Sequence, residues 1–117
     1  MDNLFGTALK DKRRAAGISQ RELAERTGLD FSYISKMENG RLPPPAADTI
    51  VLICKVLGVP AEELLALTGK IPSDVQQTIS SNSTAQKFLR QVQEMGLTDD
   101  EWHQMVKSLR GLRGKKN

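Results

Sequence analysis

Between Gly28 and Gly40 the chain reads GLDFSYISKMENG. The side chains there that could do chemistry are the ring of Phe31, the hydroxyls of Ser32 and Ser35, the phenol of Tyr33 and the ammonium of Lys36. Together they offer apolar contact, hydrogen-bond donors and acceptors, and one positive charge, which suits recognition better than bond-making. Ile34 and Met37, three apart, would anchor a helix carrying them. Phe31, Ser32, Ser35 and Lys36 would then lie largely off the core-facing side. A helix that opens with aromatics outside the core needs another surface for them to meet.

Bond-making chemistry finds little support elsewhere. His103 is the single histidine, flanked by Trp102 and Gln104, and Cys54 is remote from it in sequence, so no metal site is expected. Cys54 itself occupies an apolar helical position and reads as a core thiol. Ser19 and Ser35 lack the histidine or lysine arrangement of a nucleophile. Neither a GxxxxGK[ST] loop nor a GxGxxG turn occurs. Asp99, Asp100 and Glu101 stand where negative charge stabilises a helix start, with no catalytic role required. The expectation is a protein that is not an enzyme and has no cofactor.

At 117 residues the chain holds one small domain, or a small domain with an appendage. No apolar run approaches the roughly 20 residues of a membrane span, and MDNLFGTALK lacks the layout of a secretory signal. One cysteine permits no internal disulfide, which is compatible with a reducing cytosol, so a cytoplasmic location is expected. The net charge of +3 is unevenly spread. Residues 1–41 carry 8 Lys/Arg against 6 Asp/Glu, residues 42–106 carry 4 against 8, and the last eleven carry 5 against none. Basic ends permit nucleic-acid binding without requiring it.

These side chains must be positioned by helices, because strand signals are nearly absent. A first helix is expected over 4–16, with Phe5, Ala8, Leu9 and Ala16 at core-like spacing, ending at Gly17. Ser19-Gln-Arg-Glu22 has the form of a capping box. It opens a short second helix with Leu23 and Ala24 inward, stopped by Gly28. Asp30 caps a third helix, 31–39, closed by Gly40. Leu42-Pro-Pro-Pro45 is an extended connector. Ala47, Ile50, Val51, Cys54 and Leu57 form one face of a fourth helix, and Pro60 fits the first turn of a fifth that contains Leu64 and Leu65. A junction at 69–73, a short helix at 74–80 and a polar break at 81–84 follow. Two amphipathic helices complete the chain, over 84–95 and from the capping box Thr98-Asp-Asp-Glu101 to about residue 110. The tail GLRGKKN reads as frayed.

Helices of this size at 20–27 and 31–39, joined by Thr27-Gly-Leu-Asp30, have the spacing of a helix-turn-helix, which pushes its second helix out toward a DNA major groove. At these residues the chain resembles a known family. Arg13, Gly17-Ile-Ser-Gln20, Leu23-Ala24, Gly28, Ile34-Ser and Glu38-Asn-Gly40, followed by Leu57-Gly-Val59 and Leu64-Leu65, are similar to the Xre or lambda-repressor-like DNA-binding domain over residues 4–68. The resemblance implies a compact five-helix domain that binds double-stranded operator DNA as a dimer and represses or regulates transcription.

The same resemblance implies residue roles. Gln20 matches a phosphate-contacting position, and Asn39 and Arg41 match backbone-contacting positions beyond the recognition helix. Arg21 is grouped with these backbone contacts. Phe31, Ser32 and Lys36 align with base-facing positions, and Ser35 is grouped with them. Phe31 departs from the glutamine familiar there and offers only apolar contact, to a thymine methyl, or else packs against Tyr33 or the first helix. Lys36 is left between guanine O6/N7, a phosphate and plain solvation, and Tyr33 between a phosphate and the surface. Arg13 and Glu38 match a pair that bridges the first helix to the end of the third.

The C-terminal third lies outside the resemblance. Phe88, Leu89, Val92 and Met95 make one apolar stripe, and Trp102, Met105, Val106 and Leu109 another. A two-helix hairpin buries little area, so its faces need a partner. A dimerisation module is the preferred reading, ahead of packing on the N-terminal domain and of binding a different protein. The expected architecture is all-α, with an Xre-type DNA-binding domain at 1–69 and a C-terminal helical hairpin module with a basic tail at 70–117. The expected function is a dimeric repressor that places helix 31–39 in the major groove of a palindromic operator. The alternative is an antitoxin or partner-switched interaction protein gripped at the hairpin.

Overall fold

The computed structural model describes residues 3–114, and within them the chain forms eight helices and no strand. They are α1 Leu4–Ala15, α2 Gln20–Thr27, α3 Phe31–Glu38, α4 Ala47–Leu57, α5 Glu62–Thr68, α6 Ser73–Ser80, α7 Ser83–Met95 and α8 Asp99–Gly111. None is long and apolar enough to cross a membrane. The basic tail expected to fray lies partly in residues 115–117, outside the described residues.

The chain divides into two compact units, Met1–Gln76 and Gln77–Asn117, so the division falls within α6. Residues beyond α5 stay with the first unit through two polar ties. Lys70 Nζ donates to the carbonyls of Pro44 and Pro45 at 3.2 and 2.8 Å. The Asp48 carboxylate, on α4, accepts the Ser73 N–H at 2.9 Å and its hydroxyl at 2.7 Å.

One core serves α1–α5. Phe5 and Leu9 from α1, Leu23 and Ala24 from α2, Ile34 and Met37 from α3, and Leu64 and Leu65 from α5 are buried in it. On α4 the buried face is Ala47, Ile50, Ile53, Cys54 and Leu57, so Ile53 stands where Val51 was expected. At 100° per residue Val51 falls at the rim of that arc and stays exposed. Burial among these apolar groups pushes the Cys54 thiol pKa up, as an inert core thiol requires.

Several local expectations need correction. Ala16 is exposed because it lies past the last residue of α1. Pro60 precedes α5 and sits ahead of its cap residue, Ala61. Half of the first capping box forms: Ser19 Oγ accepts the Glu22 N–H at 3.0 Å, while the Glu22 carboxylate turns to Arg26 at 2.6 Å. Asp30 holds the cap position of α3, yet its side chain makes no capping bond and stays exposed. The Thr98–Glu101 box closes on both sides.

Candidate nucleic-acid interface

The turn between α2 and α3 depends on Gly28, whose φ of +76° is unfavourable for any residue with a Cβ. Thr27 Oγ1 secures the turn, donating to the Leu23 carbonyl at 2.7 Å and accepting the Leu29 N–H at 3.3 Å. From that turn α3 runs with Ile34 and Met37 fully buried. Ser32 and Lys36 are exposed on the opposite side and Phe31, 37% exposed, at the edge of the buried face, with Tyr33 and Ser35 half-buried. Tyr33 packs against the core, so its ring is partly structural.

A buried network sets the pose of α3 relative to α1 and α2. Arg13 donates to both oxygens of Glu38, Nε to Oε2 at 2.6 Å and Nη2 to Oε1 at 2.9 Å. Its Nη1 reaches the Ile18 carbonyl at 2.9 Å. Hydrogen bonding to Glu38 raises the Arg13 pKa above its ordinary value, outweighing the opposing effect of burial. Gln20 Nε2 also donates to Glu38 Oε1, at 2.9 Å. One of its two amide hydrogens is spent there.

The backbone of Glu38 is held as well. Asn3 Nδ2 donates to its carbonyl at 2.8 Å, so Asn3, at the cap position of α1, ties down the end of α3 instead. Gly6 permits the approach: a Cβ there would lie 2.5 Å from the Met37 carbonyl oxygen and 2.6 Å from that of Glu38. Sequence reasoning missed Asn3 and Gly6, because their role arises only where α1 and α3 touch.

Beside this network runs a shallow groove lined by Lys10, Arg13, Arg14, Ser19, Gln20, Arg21 and Phe31. Its lining contains no carboxylate, and Arg21 Cζ sits 4.7 Å from the centre of the Phe31 ring. Lys10 and Arg14 were not singled out from sequence; their four-residue spacing on one helix face was the available signal. Asn39 and Arg41 are exposed just beyond α3. Every buried side-chain nitrogen and oxygen among the described residues has a partner. No group of three or more potential metal ligands occurs among them.

In the second unit neither α7 nor α8 buries a residue. Phe88 and Trp102 are each 44% exposed, and Leu89, Met95, Val106 and Leu109 are exposed too. Val92 and Met105 are half-covered. Both apolar stripes therefore remain open.

A helix-turn-helix family model matches residues 9–64. RghRB of Bacillus subtilis, an HTH-type transcriptional regulator, is 37% identical over 76 residues, covering 62% of this chain and 55% of that protein. The regulator y4dJ of Sinorhizobium fredii is 33% identical over 72 residues, covering 62% of this chain and 92% of that one. Among solved structures, SinR, the master regulator for biofilm formation, in complex with DNA aligns at 33% identity and a TM-score of 0.50. That alignment covers 52% of this chain and 97% of that chain. The chain spans about half the length of the Bacillus and Mycobacterium tuberculosis regulators that it matches.

Proposed function

This chain belongs to the helix-turn-helix family of transcriptional regulators, and we propose that it is a dimeric repressor that places α3 in the major groove of a palindromic operator. The observation that carries this reading is the division of α3 into two sides. Ile34, Met37 and the Arg13–Glu38 pair fix one side, while Ser32 and Lys36 face outward from the other and Phe31 is exposed at the edge between them. Such a helix is rigid where it is held and free where it reads. The likeness to SinR, which was solved in complex with DNA, supports a DNA-binding reading.

In this reading Phe31 covers a thymine methyl, Lys36 donates to guanine O6/N7, and Ser32 adds a hydroxyl to the same groove. Ser35, half-buried, lies at the margin of the reading face. Gln20, with its second amide hydrogen, and exposed Asn39 and Arg41 hold phosphates, as does the Tyr33 hydroxyl. Lys10 and Arg14 add positive charge beside the start of α2. The open stripes of α7 and α8 supply the dimer, because two-fold pairing matches a palindromic site and brings the contacts that one helix-turn-helix lacks. The protein would act in the cytoplasm on double-stranded DNA.

Those same stripes favour a second reading, in which a different protein grips α7 and α8 and switches the regulator, as an antitoxin or partner-controlled repressor is switched. Footprinting the full chain on enriched genomic fragments, with and without candidate neighbours, separates the two. The first reading expects a two-fold symmetric footprint with half-sites about 34–36 Å apart, or a multiple of that. A footprint on one half-site, becoming symmetric only with another protein present, would favour the second. Absence of any enriched sequence would remove both.

A further inference from the structure

We propose that Arg21 is a specificity-determining residue, which Phe31 holds so that the pair reads one base step: guanine by Arg21, beside a thymine whose methyl Phe31 covers. The inference rests on the operator-binding reading and reassigns Arg21 from the phosphate contacts to the bases.

Three observations carry it. Arg21 Cζ lies over the Phe31 ring at 4.7 Å from its centre, although the two residues belong to different helices. Both are exposed, Phe31 at 37%, so the contact stands on the surface of the α2–α3 unit. Arg21 forms no ion pair among the described residues, and the carboxylate beside it, Glu22, goes to Arg26.

The chemistry follows from how a guanidinium stacks. A guanidinium attracted to a ring through its face keeps its five in-plane N–H donors for another partner. Phe31 thus removes much of the conformational freedom of Arg21 without consuming a donor, which is the preorganisation that a bidentate contact to guanine O6 and N7 requires. Successive bases on one strand are about 3.4 Å apart along the helix axis. A ring and a guanidinium 4.7 Å apart therefore suit neighbouring bases better than a shared one. Within the groove, Lys10 and Arg14 remain for phosphate contacts, because the third cation, Arg13, is spent on Glu38.

The test is selection of bound sequences from a randomised duplex pool by the full chain and by Arg21→Lys, Arg21→Ala and Phe31→Ala, with thermal melts confirming that each folds. Arg21→Lys keeps the charge but loses the planar fork. It is expected to hold affinity for unrelated duplex within about threefold while losing about tenfold or more of the preference at one guanine. Phe31→Ala is expected to lose preference at that same guanine and at the adjoining thymine. If Arg21→Ala weakens every sequence alike and leaves the selected motif intact, Arg21 is a phosphate contact and the proposal falls, with the operator reading untouched. The same holds if Phe31→Ala leaves the guanine preference unchanged. A wild-type chain that enriches no motif overturns both.

Discussion

Glu38 shows how much positioning a single residue can concentrate. Its carboxylate takes Arg13 and Gln20, and its carbonyl takes Asn3, so α1, α2 and α3 meet at one buried group. Glu38→Ala leaves the Arg13 guanidinium buried without its counter-charge, and a loss of about 3–5 kcal/mol is expected in chemical denaturation. Ile34→Ala opens a cavity beneath α3 and is expected to cost about 2–4 kcal/mol by the same measurement. Ser32→Ala and Lys36→Ala should leave the melt unchanged and instead lower operator affinity by about 1–3 kcal/mol where the contact is direct. If Lys36→Ala binds as tightly as wild type, that residue belongs to the solvated surface. Ile34 and Met37 were legible because helical periodicity announces buried positions. The bonds of Gln20 and Asn3 to Glu38 were not, since nothing local in the sequence encodes the approach of α1 to α3 at Gly6.

At the scale of elements, the helix order was readable because each break carries its own chemistry: Gly28 at the α2–α3 turn, the proline run before α4, the Thr98–Glu101 box at α8. What resisted reading was the choice between neighbouring apolar positions. Val51 and Ile53 on α4 differ by 200° around the helix, and only the direction of the core decides which is buried. The link from α4 to α6 was likewise invisible, although it is a carboxylate with a clear signature. Ser73, through its N–H and then its hydroxyl, holds the Asp48 pKa below the usual carboxylate range. A lowered folded-state pKa contributes stability above the unfolded value of about 3.9 and loses it as pH falls through the folded value. Asp48→Asn should therefore narrow its gap in Tm to wild type as the pH is lowered through and below the ordinary Asp range. A gap that stays constant between pH 7 and pH 2 would show that the carboxylate charge does not contribute.

For the whole molecule, the first unit carries the helix-turn-helix and the second an exposed apolar surface. Truncation after Gln76, which keeps the Asp48–Ser73 tie, is expected to give a folded monomer that binds one half-site weakly. Trp102→Ala in the full chain should lower the dimer fraction in sedimentation while leaving the melt of the first unit in place, because large aromatics dominate such interfaces. A truncated chain that remains a tight dimer would move the interface into the first unit. In the proposed complex α3, with Arg21 beside it, reads sequence while the other surrounding side chains hold phosphates. Titrating the full chain against its enriched duplex and a scrambled duplex of equal composition, from 50 to 200 mM salt, tests that central division most directly. The expected result is about 10³-fold or greater preference for the enriched duplex. Its affinity should also fall with a log–log salt slope of about −5 to −7, from some 6–8 neutralised phosphates per dimer. Equal affinity for both duplexes, or binding indifferent to salt, would contradict it.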